Sequence, residues 1–304
     1  MNIKNLFFNT NTFKDYIPKH LKQPIMSAHE YKKLCKWNLC PRYEINFNPD
    51  EVEADDLIFL NGDYLQPNTD IINYTEVFNQ YFTKIKPRAV IHNSDFHFTR
   101  EHYDNIKDYF SQIYTINALE EFDGVKQIPL GFNDTSAGIV DNQDWNFHTH
   151  EGYWQYEKTN LCLVKFWRSH MREGRSECYD IFLRKNYFYD KANRKYFFHL
   201  KNENDWTPTD LFYEELKTYK YCVSPRGVGM DTHRFWESLM FNVVPIVIKD
   251  SISHFYENFP CLIVDRWEDV TEELLEDNWQ SYYLRLLNWK AENPDWFLSK
   301  NYIK

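Results

Sequence analysis

The chain has 304 residues, of which 43% are hydrophobic and 26% charged, the composition of a soluble globular protein able to bury a large core. Its length exceeds that of the usual single domain, which favours two domains. The formal net charge of −10 argues against a general nucleic-acid or anionic-membrane surface, because both require a basic footprint. An anionic ligand must therefore be bound by a local cluster of Arg and Lys side chains.

The N-terminal sequence MNIKNLFFNTNTFKDY has no uninterrupted apolar run fit for a signal peptide, and no apolar stretch of the chain reaches about 18 residues. We therefore expect a soluble, cytoplasmic protein without a membrane span. The six cysteines lack the paired spacing of a zinc site and are too sparse for a disulfide scaffold. Three of them lie in apolar runs, which predicts small buried residues: Cys162, Cys222 and Cys261.

Short apolar runs alternate with longer amphipathic segments along the chain, which predicts an α/β architecture. In the first half, four runs are predicted strands: residues 56–60, 88–92, 112–116 and 125–130. Between the second and third of these, Thr99 is the predicted N-cap of a helix that reaches Phe110.

Five apolar runs of the second half are predicted strands: residues 161–166, 196–200, 221–224, 243–248 and 261–264. Thr207, with Pro208 at the first helical position, predicts the start of a helix leading to Thr218.

A polar, irregular stretch, NDTSAGIVDNQDWNFHTHEGYW at residues 133–154, separates the two halves and is typical of a linker. We place the domain boundary near residue 150, which gives an N-terminal domain of residues 1–150 and a C-terminal domain of residues 151–304. The aromatic tail from Asn278 onward is predicted to be helical and suited to packing across the domain junction.

The segment YKYCVSPRGVGMDTHRFWESLMFNVVPIVIKD, residues 219–250, predicts a buried strand, a loop, a helix and a second buried strand. Ligands of doubly wound sheets bind in loops that follow the carboxyl ends of strands. Gly227 and Gly229 allow the backbone to approach a ligand, and the helix that begins near Asp231 adds a partial positive charge. Arg226 adds a planar, permanent cation for phosphate oxygens. This loop therefore predicts a phosphate or diphosphate site.

Three polar residues follow on the helix and can face the loop: His233, Arg234 and Glu237. A carboxylate one turn into such a helix suits the hydroxyl groups of a ribose, because it accepts two hydrogen bonds at a distance from the phosphates. A purely structural interpretation stays open. In it the glycines are ordinary turn residues, Arg234 and Glu237 form an i,i+3 surface pair, and Asp231 is only a helix cap.

Three segments occur here in a characteristic order: YEELKTYKYCVSPRG, DTHRFWESLMFNVVPIVIKD and FPCLIVDRWEDV. This order resembles the C-terminal half of exostosin-family glycosyltransferases, over about residues 206–276. In that family a Cys-x-x-Pro-x-Gly stretch, an Arg-Phe-x-Glu helix and a Pro-Ile/Val-x-Ile strand build the nucleotide-sugar site. The N-terminal half matches the family only in general plan.

The resemblance implies a GT-B fold, with a nucleotide-sugar cleft between two facing Rossmann-like domains. It implies a metal-independent, inverting hexosyl- or pentosyltransferase, without a cofactor, that uses a nucleoside diphosphate sugar and a glycan acceptor. The expected donor is a UDP-sugar. Glu237 would bind the ribose, and Arg226 with the loop from Gly227 to Thr232 would hold the diphosphate. Eukaryotic members are typically anchored in the Golgi by an N-terminal helix, so a viral or bacterial enzyme is favoured here.

No two aspartates of the chain are separated by one residue, so the Asp-x-Asp metal motif of other glycosyltransferases is missing. Protein cations must then neutralise the leaving diphosphate. Besides Arg226, the candidates lie in the loop after residues 161–166: Lys165, Arg168, Arg172 and Arg175. A solvated basic loop is the alternative interpretation. The HTHEG segment at residues 148–152 has no third ligand placed by the sequence, so no metal site is predicted.

An inverting transfer needs a group that takes the proton from the acceptor hydroxyl. Asp63 follows the first predicted strand, and Asp95 and His97 follow the second, which makes these three the candidate bases. The alternatives are that Asp63 lies in a turn after Gly62 and that Asp95 caps a helix. Nearby aromatic residues are candidates for stacking on acceptor sugars or for simple packing: Tyr64, Phe96 and Phe98.

Two other functions stay open from the sequence. One is a catalytically silent nucleotide- or glycan-binding protein of the same fold, which would bind a donor without transferring it. The other is a GT-B-like transferase that uses a different activated donor, such as phosphoenolpyruvate.

Overall fold

The computed structural model describes residues 24–65, 74–134, 136–137, 158–166, 174–187, 198–200 and 208–303. The chain divides into two compact units, one formed by Met1–Gly138 with Leu298–Lys304 and the other by Ile139–Phe297. Each unit contains a five-stranded sheet with parallel pairing, which confirms the predicted α/β class. The boundary predicted near residue 150 lies outside the described residues.

The sheet of the first unit has its strands in chain order, β1-β2-β3-β4-β5. These are β1 (Trp37–Asn38), β2 (Leu57–Asn61), β3 (Arg88–His92), β4 (Gln112–Thr115) and β5 (Val125–Gln127). The described α-helices of this unit are α1 (Ala28–Leu34), α2 (Tyr74–Val77), α3 (Thr83–Ile85) and α4 (Arg100–Ile106). A π-helical segment, Phe78–Phe82, joins α2 to α3, and 3₁₀ turns occupy Pro49–Glu51, Gly62–Leu65 and Ser299–Asn301.

Helix α4 begins where the sequence predicts and ends earlier. Thr99 is its N-cap and forms a capping box with His102. The helix ends at Ile106, and the following turn places Phe110 in the core, where its ring meets Phe78 edge-on at 5.0 Å between centroids. Burial of Phe110 against the sheet therefore takes precedence over another helical turn.

Gly131, in the segment after β5, has a backbone conformation that requires glycine. Its φ is +69°, and a Cβ there would lie 2.3 Å from the carbonyl oxygen of Met26. The next residue, Phe132, donates its backbone N–H to the same oxygen at 2.8 Å. A side chain at this position would thus collide with a backbone atom that the fold already uses.

The sheet of the second unit has the order β10-β9-β8-β6-β7. Its strands are β6 (Asn160–Val164), β7 (Phe198–Leu200), β8 (Tyr219–Val223), β9 (Val244–Ile248) and β10 (Leu262–Val264). The described α-helices are α5 (Gly174–Tyr187), α6 (Thr209–Leu216), α7 (His233–Met240), α8 (Ser253–Tyr256) and α9 (Glu272–Glu292), with a 3₁₀ turn at Trp267–Asp269. None of the helices within the described residues is long and apolar enough to cross a membrane.

Two helix boundaries differ from the predictions. Helix α6 begins at Thr209 with Pro208 in the N-cap position, and the predicted cap, Thr207, lies outside the described residues. The helix predicted from Asn278 onward is α9, which starts earlier because Thr271 caps it by accepting from the backbone N–H of Leu274.

Two lysines bind carbonyl groups at the C-terminal ends of α6 and α7. Lys158 Nζ donates to the carbonyl oxygens of Lys217, at 2.7 Å, and Phe241, at 2.9 Å. Lys290 Nζ donates to the carbonyl of Met240 at 3.2 Å. Burial, with the charge of Lys217, lowers the pKa of Lys158 to about 7, and burial, with the charge of Lys158, lowers the pKa of Lys290 well below its ordinary value. The lysines satisfy acceptors that a helix end otherwise leaves unpaired.

Candidate functional site

The strand order of the second unit reverses beside β6. The chain runs from β6 to its neighbour β7 and then returns to β8 on the other side of β6. In open parallel sheets, ligands bind outside the carboxyl ends of the strands at such a reversal. The loop that begins at Lys165 after β6 and the loop of residues 224–232 after β8 both leave from this point. Topology therefore places the predicted phosphate loop at the expected ligand position.

Arg226 and Arg175 come together at this edge, one from the loop after β8 and the other from the first turn of α5. Arg175 Nε donates to the carbonyl oxygen of Arg226 at 2.9 Å. A Cβ on Gly227 would lie 3.0 Å from Arg175 Nη2, and a Cβ on Gly174 would lie 3.5 Å from Arg226 Nε. Burial and the charge of Arg234 lower the pKa of Arg175. Arg175 thus packs against Gly227, which follows Arg226, and Arg226 packs against Gly174, which precedes Arg175.

Neither glycine of the predicted phosphate loop adopts a positive φ. At Gly227 the limit is space, because a Cβ would lie 3.0 Å from Arg175 Nη2 and the guanidinium would have to shift by a few tenths of an ångström. Gly229 is buried. The loop therefore contains glycine for close packing rather than for a left-handed turn.

The Arg226 guanidinium is half-buried and has little internal compensation. Its Nη1 donates to Met230 Sδ at 3.5 Å, and a thioether is a weak acceptor. Among the described residues, no carboxylate lies within ion-pair distance of Arg226. Because a guanidinium carries five N–H donors, Arg226 retains donors for an anionic ligand.

Asp250, which directly follows β9, is the acidic residue near Arg226 that the sequence analysis missed. Burial raises the pKa of Asp250, whereas the charges of Arg226 and His254 lower it. Its Oδ1 accepts from the backbone N–H of Ile252 at 3.1 Å, which fixes the carboxylate in a turn. The signal was present in the sequence, because β9 lies beside β8 and parallel neighbours end at one edge.

Thr232 is the N-cap of α7 and accepts from the backbone N–H of Phe235 at 3.4 Å, so the helix starts at His233. Asp231 faces the interior and is 3% exposed. Its carboxylate accepts from Trp236 Nε1 at 2.9 and 3.0 Å and from Tyr256 Oη at 2.9 Å. The alternative that Asp231 caps the helix is wrong, and its hydrogen bonds stabilise the loop from within.

Glu237 and Arg234 form an ion pair inside the unit, with 3.3 Å between Arg234 Nε and Glu237 Oε2. Glu237 is only 7% exposed, and its Oε1 accepts from Tyr213 Oη at 3.0 Å. The Arg234 guanidinium lies over the Phe212 ring, 3.8 Å from its centroid. The i,i+3 pair of the structural interpretation is confirmed, but its place at the surface is wrong, because Phe212 and Tyr213 of α6 contact these side chains. His233 is half-buried at the first position of α7.

The additional cations predicted after β6 have different positions. Lys165 Nζ lies 2.9 Å from Glu215 Oε2 of α6, so its charge is compensated within the unit. Arg175 contacts the phosphate loop as described above. Arg168 and Arg172 lie outside the described residues, as does the HTHEG segment. Among the residues that the structure describes, no group of three His, Cys, Asp or Glu side chains could hold a metal ion.

Two of the three candidate bases, Asp63 and Asp95, contact each other in the first unit, because they follow neighbouring parallel strands. Asp63 Oδ1 accepts from the backbone N–H of Asp95 at 3.2 Å. Burial raises the pKa of Asp63, while hydrogen bonds from Ser94 and Asp95 lower it. His97 lines a pocket that also includes Gly62. The alternative of Asp95 as a helix cap is wrong, because Thr99 caps α4.

Comparison with known proteins gives no match to a family model and none to a curated protein. The solved apo structure of OtsA has a TM-score of 0.42 at 10% identity, covering 81% of this chain and 72% of that chain. The trehalose-6-phosphate phosphatase N-terminal domain of Candida albicans has a TM-score of 0.43 at 9% identity, covering 81% of this chain and 69% of that chain. The structure of an α1,3-fucosyltransferase with GDP has a TM-score of 0.36 at 12% identity, covering 81% of this chain and 72% of that chain. At these TM-scores the likenesses do not decide the function.

Proposed function

We propose that the chain is a glycosyltransferase that moves a sugar from a nucleoside diphosphate to a hydroxyl group of a glycan. The observation that carries this proposal is Arg226, which stands at the strand-order reversal with uncompensated guanidinium donors and with Arg175 against it. Guanidinium groups match phosphate oxygens in charge and in geometry. Two of them at one loop suit the two phosphates of such a donor.

The donor site of the proposal is the loop from Gly227 to Thr232 with its two arginines. Backbone N–H groups at the start of α7 and the helix dipole add to the positive potential of the loop. Glu237, held by Tyr213 and Arg234, keeps acceptor positions beyond these two contacts, since a carboxylate has about four. We assign the ribose hydroxyl groups to Glu237 on this ground and on the family resemblance.

The acceptor hydroxyl would lose its proton to a base at the carboxyl edge of the first sheet. Its oxygen forms a bond to the anomeric carbon as the bond from that carbon to the diphosphate oxygen breaks, which inverts the configuration. Asp63 is the base we favour, because it directly follows β2 at this edge and burial raises its pKa. Asp95 and His97 are the alternatives. A GT-B, metal-independent, UDP-dependent enzyme of exostosin type is the form that the resemblance supports.

Calorimetric titration of UDP, GDP and CDP tests the donor site. We expect one of them to bind, and Arg226→Ala or Arg175→Ala to weaken it by about 10- to 100-fold, since a hydrogen bond to a charged group contributes roughly 1.5–3 kcal/mol. Arg184→Ala is the matched control, because Arg184 is an exposed arginine on the same helix, α5. The assignment fails if no nucleotide binds, or if Arg226→Ala and Arg184→Ala bind equally well.

Two further measurements separate the two alternatives. A silent binding protein would bind a nucleotide sugar without hydrolysing or transferring it, which chromatographic analysis of the nucleotide product detects. A transferase for another donor would be stabilised against thermal unfolding by phosphoenolpyruvate and not by nucleoside diphosphates.

A further inference from the structure

Asp250 is an acidic side chain beside the paired arginines that the fold uses only in part. It lies just after β9, the strand next to β8, so its loop leaves the same edge of the sheet as the loop of residues 224–232. Burial raises the pKa of Asp250, and the charge of Arg226 is among the influences that lower it. The carboxylate is therefore within electrostatic reach of the Arg226 guanidinium, although no ion pair joins these two described residues.

One carboxylate oxygen of Asp250 holds a tight turn. Oδ1 accepts from the backbone N–H of Ile252 at 3.1 Å. The backbone N–H of Asp250 donates to Ser253 Oγ at 2.8 Å, and its carbonyl oxygen accepts from the backbone N–H of Ser253 at 3.2 Å. These three hydrogen bonds fix the side chain before a ligand arrives, which is the condition for a specific contact.

The other carboxylate oxygen, Oδ2, has no partner within the described part of the chain, and it retains accessible surface on a half-buried side chain. The neighbouring Lys249 does not compensate the charge, because its Nζ lies 3.7 Å from Asp265 Oδ1. The turn requires a single acceptor, which an asparagine also provides. The negative charge and the second oxygen of Asp250 are therefore available to a ligand.

The proposed donor defines which group lies next to this oxygen. In a nucleoside diphosphate sugar, the transferred sugar is bonded to the phosphate that is farther from the ribose. Arg226 is assigned to the phosphates and Glu237 to the ribose, so the sugar is the part of the donor that remains for Asp250. A sugar ring carries several hydroxyl groups, and a carboxylate oxygen accepts charge-assisted hydrogen bonds from them.

The charge of Asp250 also discriminates between classes of sugar. A uronic acid carries a carboxylate at C6, and two carboxylates in a partly desolvated site repel each other. The cations that act on Asp250 are Arg226, which the phosphates would engage, and His254, whose Nδ1 lies 2.9 Å from the carbonyl oxygen of Ser251. A neutral hexose or pentose meets no such repulsion.

We propose that Asp250 determines which sugar is transferred, with Oδ2 accepting a hydrogen bond from a hydroxyl group of the donor sugar and the negative charge favouring neutral sugars over uronic acids. The inference rests on the proposed function, because it names the sugar class of the same donor site. It requires no particular base and no particular acceptor.

Calorimetric titration of the full chain with matched donors tests the inference. The probes are UDP and two pairs of UDP-sugars that differ only at C6, glucose with glucuronic acid and galactose with galacturonic acid. The GDP or CDP analogues replace them if that nucleotide binds. We expect at least one neutral donor to bind at least about 10-fold more tightly than its uronic acid partner. Equal or tighter binding of the uronic acid in both pairs would overturn the proposal.

Asp250→Asn separates sugar recognition from the turn. Its amide oxygen can still accept from the backbone N–H of Ile252, whereas the ligand then meets an N–H donor in place of a charged acceptor. The affinity for the neutral donor should fall by about 10-fold, and the preference over the uronic acid should shrink to within about 3-fold. UDP itself should bind at least as tightly as to the wild type, because no sugar contact is lost and a negative charge near the phosphates is removed.

Asp265→Asn is the matched control, because Asp265 follows β10 at the same edge of the sheet and is exposed. It should keep all affinities within about 3-fold of the wild type. Thermal unfolding confirms that both variants fold. If Asp250→Asn weakens UDP as much as the UDP-sugars, Asp250 serves the loop and the proposal is wrong.

The same titrations distinguish this inference from the proposed function. If a nucleoside diphosphate binds and neither sugar pair shows the preference, only the role of Asp250 is wrong and the donor site stands. If no nucleoside diphosphate binds, the proposed function fails and the role of Asp250 fails with it.

Discussion

The two glycines beside the paired arginines give a matched test of the donor site. In Gly227→Ala the new Cβ would lie 3.0 Å from Arg175 Nη2, whereas in Gly174→Ala it would lie 3.5 Å from Arg226 Nε. Ordinary contacts begin at 3.4 Å, so only the first substitution forces a guanidinium to move. Gly227 has no positive φ, and backbone strain therefore does not enter the comparison.

The required displacement falls on the guanidinium that the proposal assigns to the diphosphate. Arg175 Nη2 must move by a few tenths of an ångström, while Arg175 Nε is held by the Arg226 carbonyl at 2.9 Å. A hydrogen bond made by a charged group contributes about 1.5–3 kcal/mol, so weakening one such bond to the nucleotide should lower donor affinity by up to about 10-fold. Gly174→Ala should bind normally and gain up to about 1 kcal/mol of stability, because alanine favours the first turn of α5.

Calorimetry with the nucleoside diphosphate that binds the wild-type protein, together with thermal unfolding, measures both effects. The reasoning is refuted if the two alanine variants bind the nucleotide equally. It is also refuted if Gly227→Ala lowers the unfolding temperature while its affinity stays at the wild-type value, because the glycine would then serve the fold alone.

Three further predictions concern stability. Between pH 7 and 8.5 the wild type should gain roughly 1–2 kcal/mol more unfolding free energy than Lys158→Met, measured by urea titration. The pKa of Lys158 is about 7 in the fold against 10.5 normally, so the unfolded chain binds more protons in this window and stability rises with pH. Gly131→Ala should lower the free energy of unfolding by about 3 kcal/mol or more in the same urea titration, because the new Cβ would collide with the Met26 carbonyl. Asp231→Asn should lower the free energy of unfolding by about 2 kcal/mol in thermal unfolding, because the hydrogen bonds from Trp236 and Tyr256 lose their charged acceptor. Its nucleotide affinity should stay unchanged.

Each of these has a matched control. Lys249→Met removes an exposed lysine and should keep the wild-type pH dependence; an identical slope in Lys158→Met would contradict the prediction. Gly124→Ala shares a φ of +69° but has nothing within 4 Å of the new Cβ, so it should cost less than Gly131→Ala. Asp265→Asn changes an exposed carboxylate and should be neutral. A drop in nucleotide affinity with Asp231→Asn would show that this carboxylate serves the ligand.

The strands could be predicted because buried parallel strands are nearly continuous apolar runs. The prediction of 88–92 coincides with β3, and the other predicted runs differ from the strands by a few residues at their ends. Strand β1 was missed, since its two residues, Trp37–Asn38, are too short to show any pattern. The bounds of α4 depended on the burial of Phe110, which local sequence does not reveal.

The sequence could predict which loops carry the candidate site, but not the contacts between residues of different loops and helices. The position of Arg226 follows from the rule for carboxyl ends of parallel strands, and the topology agrees with it. The contact between Arg175 and Arg226 joins residues 51 positions apart, across a loop whose path the sequence does not determine. The burial of Glu237 likewise depends on Tyr213, which comes from another helix.

His102 is the residue whose role was hardest to predict. Its spacing from Thr99 is that of a capping box, but the usual residue there is Glu or Gln. The imidazole replaces the usual side chain, because its Nδ1 accepts from the backbone N–H of Thr99 at 3.1 Å.

The reversal of strand order in the second sheet also bears on how such a site can change. The crevice exists because two connections depart in opposite directions, and no single side chain creates it. Substitutions in the loops can therefore change which ligand binds, while the position of the binding crevice stays the same. The first sheet, whose strands follow chain order, has no such built-in opening among its described strands. Under the proposed function, directed evolution of a new donor should accordingly concentrate on residues 224–232.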